Sequence, residues 1–512
     1  MPTIAHLKKQ AKRLLRDAQA GQPDALRRFV EILPAIKAIG LATLARRALK
    51  LHDAQSVVAR ECGFKSWMEL KTYVEWTRTD AAARLRTWLR WATEGHARER
   101  RLAIRMLREE PDLFAGDAWL ACTIGDEAAI ANALARDPGW ANRTGGPLAM
   151  PPLVAATHSR LILEEGFEAP LLASARLLLR HGADVNSSWT DPRWPDSPLS
   201  ALYGAAGRTH HLDMTRLLLE AGANPDDNES LYHSLESRDS ACTRLLLDAG
   251  GRVVGTNAIG RALDYDKLDD LRLLLRHGGD ARERPWLHHA ILRGRSLEHI
   301  VALVEAGADL SAENDEGISL YRWAQMHGRV DVVEILTAAG IEEPLTDEEQ
   351  FVAACTRGDE PAGRIIQERT PEIVSRLTEQ QLQALPRLAS VGALSAVRTM
   401  LALGWPREVK AGWDATALNL AVFQGDAAMA RLLLEGGADW RTPHGFGDNV
   451  LGTLSYASQT DDIADSAPRD YVGCARAIIA AGAPLIDWER YVFPAEVSEY
   501  IDTLRLTASG AS

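Results

Sequence analysis

One phrase returns along this chain: ARLLLRHGADVN at 175–186, TRLLLEAGANPD at 215–226, TRLLLDAGGRVV at 243–254, LRLLLRHGGDAR at 271–282, ALVEAGADLSA at 302–312 and ARLLLEGGADWR at 430–441. Weaker copies stand at 335–344, 399–408 and 478–487. Self-similarity at such a period argues against a single layered core and for a stack of like units, each burying a face only against its neighbours. The aligned glycines Gly182, Gly222, Gly250, Gly278, Gly307, Gly340, Gly404, Gly437 and Gly482 are spaced 40, 28, 28, 29, 33, 64, 33 and 45 residues apart. The gap of 64 is close to two periods, and the segment 351–374 fills it with a copy that stops on proline instead of glycine. Similar proline-stopped pairs precede the array at 104–114 and 121–140.

The phrase has a physical reading. A run such as Leu177, Leu178 and Leu179 points apolar side chains in several directions around a helix, which requires neighbours on more than one side. The glycine three residues after the last leucine suits a left-handed helix end, and the Ala and Asp or Asn beyond it suit a tight turn. Between the phrases lies a second helical stretch, seen in SPLSALYGAAG (197–207), PWLHHAILRGR (285–295), ISLYRWAQMHGR (318–329) and TALNLAVFQGD (416–426). Ser or Thr just ahead of the apolar run is a helix cap, and Pro198 fits a first helical position.

A TPLHxA-like first helix paired with an LLLxxGADxN second helix resembles the ankyrin repeat, over roughly residues 80–490. The resemblance implies an all-α fold, an α-solenoid of about twelve helix pairs, and a role in protein recognition rather than catalysis. Two departures stand out: PWLHHA replaces the usual opening, and the 28-residue periods are shorter than the usual ~33, which predicts trimmed turns without projecting hairpins. The segment 1–76 resembles a basic helical module found in front of some bacterial ankyrin proteins. The expected division is a module over 1–78, a solenoid over 79–490 and a C-terminal tail over 491–512.

Composition sharpens this division. Residues 1–110 carry 23 Lys and Arg against 12 Asp and Glu, so the remainder carries 35 against 58. In the module, Leu7, Ala11, Leu14 and Leu15 mark one apolar helix face, and Lys8, Lys9, Lys12, Arg13 and Arg16 lie around it. The stretch from Val58 to Val74 has the outline of a helix-turn-helix, but Lys65, Met68, Glu69, Lys71, Thr72 and Glu75 would form its reading face, and two carboxylates there oppose phosphate. A cap on the solenoid end is the better expectation. From Arg84 to Arg108, arginines interleave with Trp88 and Trp91 in a manner that suits single-stranded nucleic acid, or simply a solvated first repeat.

Catalytic and metal-binding patterns are not found. There is no phosphate-cradling GxxxxGK[ST], no HExxH and no GxSxG, and GFGDNVLG at 445–452 lacks the third glycine at its required spacing. His210 with His211, and His288 with His289, are adjacent and point about 100° apart on a helix, so neither pair chelates alone. Acidic pairs at Asp226 and Asp227, Asp269 and Asp270, and Asp461 and Asp462 are expected in solvated turns. The five cysteines are far apart and odd in number, which fits buried apolar positions rather than disulfides or zinc. No apolar run is long enough for a membrane span and the N-terminus lacks a signal core, so the expected location is the cytoplasm. No cofactor or metal is expected.

The expected partner is a protein, held on the concave face and turn tips by Trp189, Trp194, Arg282, Arg284, Trp286 and Trp440. The alternative is a nucleic-acid-associated regulator, or an acidic partner, contacted through Lys8, Lys9, Lys12, Arg13, Arg84, Arg98 and Arg101. Trp189 and Trp194 lie in the insertion SSWTDPRWPDSP, where they could anchor a partner or fold back onto the neighbouring repeat. Trp286, Trp405, Trp413 and Trp440 occupy repeat junctions, where packing is the competing role. The insertion at 455–473 is acidic and polar and is expected to be a mobile loop.

Overall fold

In the computed structural model, residues 2–33, 49–459, 469–491 and 493–509 are described. They divide into two compact units, Met1–Gly251 and Arg252–Ser512. Both are helical, and the only strands among the described residues are two short antiparallel hairpins, Ser188–Thr190 with Pro198–Ser200 and Lys410–Ala411 with Ala415–Thr416.

The repeat reading holds at the level of its glycines. All nine aligned glycines have positive φ, between +76° and +92°. At Gly222 the helix Leu212–Glu220 ends with Gly222 N–H donating to Leu219 O and Ala223 N–H to Leu218 O, at 3.0 and 2.9 Å. This paired closure satisfies carbonyls that a helix end otherwise leaves open. Of the leucines in that phrase, the middle one, Leu218, is fully buried, while Leu217 and Leu219 are half-buried. The triplet thus wedges between successive second helices.

First helices stack on first helices and second on second. In the N-terminal unit Ala118–Ile124 packs on Pro152–Thr157 and Glu127–Arg136 on Glu168–Arg180; in the C-terminal unit Ala417–Phe423 packs on Val450–Ala457 and Ala427–Glu435 on Tyr471–Ala480. The architecture is an all-α solenoid of ankyrin-like pairs. The proline-stopped copy is present as Asp347–Thr356 and Glu360–Arg369, with Thr346 and Glu349 forming a reciprocal cap at its start. Successive loops are joined by side chains that bond backbone in the neighbouring repeat. Asn142 bonds Gly182 O and Asp184 N, Asn186 accepts from Asn224 N, Arg282 donates to Gly307 O and Glu408 accepts from Asp439 N, all at 2.6–2.9 Å.

Turns vary more than helices. The loops leading into Ser230–Ser234 and Ala258–Asp264, where the period is 28, form no hairpin, as their length predicts. The unusual opening PWLHHA nevertheless keeps one inter-repeat bond: His288 Nε2 donates to Ile318 O at 3.0 Å. In the N-terminal unit, His158 makes the same kind of bond to Ser200 O at 2.8 Å.

The N-terminal segment builds helices α1 (Ile4–Gln19), α2 (Pro23–Ile32), α3 (Leu51–Glu61) and α4 (Trp67–Trp76), followed by α5 (Ala81–Thr93) and α6 (Ala97–Glu109). Leu7, Ala11 and Leu14 of α1 are buried. Phe64, Leu70, Tyr73 and Trp76 are buried too, and polar contacts tie this layer to α6. Arg105 donates to Cys62 O and Gly63 O and lies 3.7 Å over the Phe64 ring, while Tyr73 donates to Glu109. Glu69, expected on an exposed reading face, is instead buried, accepting from Lys65 N and paired with Arg101 at 2.7 Å.

Four smaller expectations change. Asp270 is buried in the first turn of a helix beside Lys267 rather than solvated in a turn, and Asp227 accepts from Ser200, Ser230 and Glu229 rather than facing water. Cys62 caps the end of α3 and is half-exposed, unlike the four buried cysteines. The C-terminal tail contains a helix, Ala495–Ser509, with Val497 and Ile501 in the core. Of the expected mobile loop at 455–473, residues 460–468, with Asp461 and Asp462, lie outside the described residues, while 455–457 complete the helix Val450–Ala457 and 471–473 begin the helix Tyr471–Ala480.

Candidate interaction surface

The tryptophans named from sequence separate by local geometry. Trp189 sits in the hairpin strand Ser188–Thr190, where alternation turns it inward; it is buried and its Nε1 donates to Leu148 O at 2.8 Å. Trp286 and Trp440 are also buried, the first donating to Asp280 O, the second lying under the Arg441 guanidinium. All three are nearly fully buried, so each packs within its own repeats, and a partner could touch them only at a ring edge. Trp194, on the turn of the same hairpin, is 68 % exposed.

Arg282 is committed to Gly307 O and Arg284 lies 5.9 Å from the Trp286 ring. They line a cleft of ≈ 230 Å³ with His288, Asp309 and Glu313, smaller than the roughly 300–1,000 Å³ that ligand sites occupy. Among the basic residues, Lys8, Lys9, Lys12 and Arg13 are exposed on α1, Arg13 lying 3.5 Å from Asp17. Arg84 pairs with Glu110, Arg98 with Glu99 and Arg101 with Glu69, so these three already face carboxylates of their own chain. Among the described residues no group of three or more His, Cys, Asp or Glu is placed to hold a metal, and no helix is long and apolar enough to cross a membrane.

A different set of rings is open. The hairpin Lys410–Thr416 turns through Gly412 and Asp414, both at positive φ, and lifts Trp413 at its tip. The next loop closes with His444 N–H donating to Asp448 O at 2.8 Å, and its Gly445 N–H donates to Trp413 O at 3.2 Å, joining the two tips. Gly445 has to be glycine here, because a Cβ would lie 2.7 Å from Trp413 O. Phe446 therefore emerges beside Trp413, their ring centroids 5.9 Å apart. His444 lies buried beneath, 5.0 Å from the Trp413 ring, with burial holding it below the usual imidazole pKa and its Nδ1 accepting from Phe446 N–H.

Below the tips, Ala417–Phe423 is capped by Thr416 and Asn419, and Val450–Ala457 by Asn449. Their last turns present Phe423 and Tyr456, stacked at 6.4 Å and 18°, and Phe423 lies 6.0 Å from Trp413. Phe446 is 80 % exposed and Tyr456 62 % exposed; Trp413 and Phe423 are half-buried. The result is one aromatic surface across two successive repeats.

No family model matches the chain, and no curated protein matches it. Among solved structures, it is similar to the human ASB11 ankyrin repeat domain, at 20 % identity and a TM-score of 0.22, over 44 % of this chain and 98 % of that one.

Sequence reasoning placed Trp413 at a packing junction and did not single out Phe423, Phe446 or Tyr456. A signal was there. Trp413 and Phe446 are 33 residues apart, as are Phe423 and Tyr456, and so are Gly404 and Gly437. The rings occupy equal positions in consecutive repeats, and Phe446 stands between two glycines, where no helix could bury it.

Proposed function

We propose that this protein is a scaffold of a reducing, cytoplasmic compartment that holds a protein partner on the hairpin tips and first helices of its repeats, with Trp413, Phe423, Phe446 and Tyr456 as the principal contact. The exposed aromatic cluster carries this reading. A monomer gains nothing by leaving Phe446 and Tyr456 mostly in water beside two half-buried rings, and burying two or three aromatic anchors dominates many protein interfaces. Trp194 is a secondary anchor in the N-terminal unit. The five free thiols fit the compartment. The nucleic-acid alternative is weaker, because Arg84, Arg98 and Arg101 already face carboxylates of their own chain.

The test is a comparative capture from lysate with the full chain and with the doubly substituted Phe446→Ala/Tyr456→Ala, each checked by its melting curve. Because both side chains are mostly exposed, melting should be unchanged while one or more proteins recovered by the natural chain disappear. Identical recovery by both chains would defeat the assignment of this face.

A further inference from the structure

Several rings of this chain lie under one of its own arginines. Arg84 lies 5.3 Å from the Trp76 centroid, Arg105 3.7 Å from Phe64, Arg208 5.4 Å from Tyr203, and Arg441 4.5 Å from Trp440. The cluster on the C-terminal unit is different. Among the described residues no cation of this chain lies over Trp413, Phe423, Phe446 or Tyr456, and the nearest basic side chain on the hairpin, Lys410, is turned to Asp414 at 2.9 Å. These rings have no guanidinium over them from the described residues of the same molecule.

We propose that these rings receive arginine side chains from a basic polypeptide segment of the partner. The inference rests on the reading that this face is where a partner docks, and adds the partner's chemistry. A guanidinium placed flat on Trp or Phe is attracted by the ring's negative face and still keeps its N–H groups for carboxylates. Asp414 and Asp448 belong to the two turns that carry Trp413 and Phe446, and the Asp414 side chain is 57 % exposed. The field around the site has the matching sign. Residues 252–512 hold 25 Lys and Arg against 39 Asp and Glu, so a basic segment is drawn toward this unit and an acidic one is repelled. A purely aliphatic partner would cover the rings but gain nothing from that charge.

The probe is a fluorescein-labelled peptide of about twelve residues alternating arginine with glycine, titrated into the full chain by fluorescence anisotropy at about 0.15 M salt. Peptides with glutamate or with leucine in place of arginine serve as comparators. The arginine peptide should bind, the other two should not, and Phe446→Ala/Tyr456→Ala should weaken binding about tenfold or more. Asp414→Asn should weaken it several-fold without altering the melting curve. Equal binding to the doubly substituted chain would place the peptide on acidic surface elsewhere and overturn the inference, as would absence of binding or preference for the glutamate or leucine peptide. Loss of a captured protein in the doubly substituted chain, with peptide binding unaffected, would remove the arginine chemistry and leave the docking face standing. If capture and peptide binding are both unaffected, both readings fall.

Discussion

His158 and His327 show how a single buried side chain sets a property of the whole chain. His158 is fully buried; burial, followed by the nearby Arg208 charge, holds its pKa at about 3. His327 is held at about 4, again chiefly by burial. Both therefore stay neutral when folded, whereas in the unfolded chain they take up a proton below about pH 6.5. The unfolded state binds more protons in that window, so the stability these residues contribute is full above about 6.5 and is lost as pH falls toward the folded values. At pH 5.5 each costs about 1.4 kcal/mol relative to neutral pH. His233 works in the opposite sense: burial lowers its pKa, but its bonds to Glu229 and Glu236 outweigh that and raise it, so its contribution is complete below about 6.5 and fades as pH rises through the raised value. The expected outcome is a melting midpoint that drops between pH 7 and pH 5, with a shallower drop in His158→Asn. A midpoint flat across that range would contradict neutral burial of these rings.

The insertion hairpin is the element where sequence reading reached furthest and then stopped. Its length and its two tryptophans were legible, but which of them is buried depends on strand alternation over three residues, Ser188–Thr190, too short a run to establish a period from sequence alone. Its anchorage was not legible at all. Asp191, nearly fully buried, accepts from Arg193 and from Arg90 of α5, and Arg193 also pairs with Glu94, some hundred residues away in sequence. The Arg193 guanidinium, followed by the remaining hydrogen bonds, holds the Asp191 carboxyl well below its usual range. Arg193→Ala should leave that buried carboxylate with only Arg90 and the backbone N–H of position 193, costing on the order of 1–3 kcal/mol. Limited proteolysis should then show faster cutting near Trp194, and an unchanged rate would mean the turn does not depend on Arg193. The helix pairs, by contrast, were readable because glycine ends and leucine triplets are local signals. The aromatic surface was missed because its four rings come from four segments and meet only once the repeats are in register.

For the molecule as a whole, the N-terminal layer matters through what it covers. A chain starting at residue 79, the proposed boundary of the module, would strip Phe64, Leu70, Tyr73 and Trp76 from the α6 side and leave Arg105 without Cys62 O and Gly63 O. We expect a lower melting temperature and stronger binding of a hydrophobic dye; unchanged melting would show the layer to be separable. The bonds between successive loops carry a further consequence. Asn186, Arg282 and Glu408 each stand four residues after a repeat glycine, and each reaches only the next loop. Geometry is thus enforced over the few positions from glycine to rung and relaxed everywhere else in the unit. Chain length can drift between rungs, from 28 residues to 45, without disturbing the stack. Gain and loss of residues in the turns is therefore the cheap route by which such a chain acquires a new recognition surface, while a one-residue deletion between Gly278 and Arg282 would cost far more than the removal of an entire turn tip around Trp194.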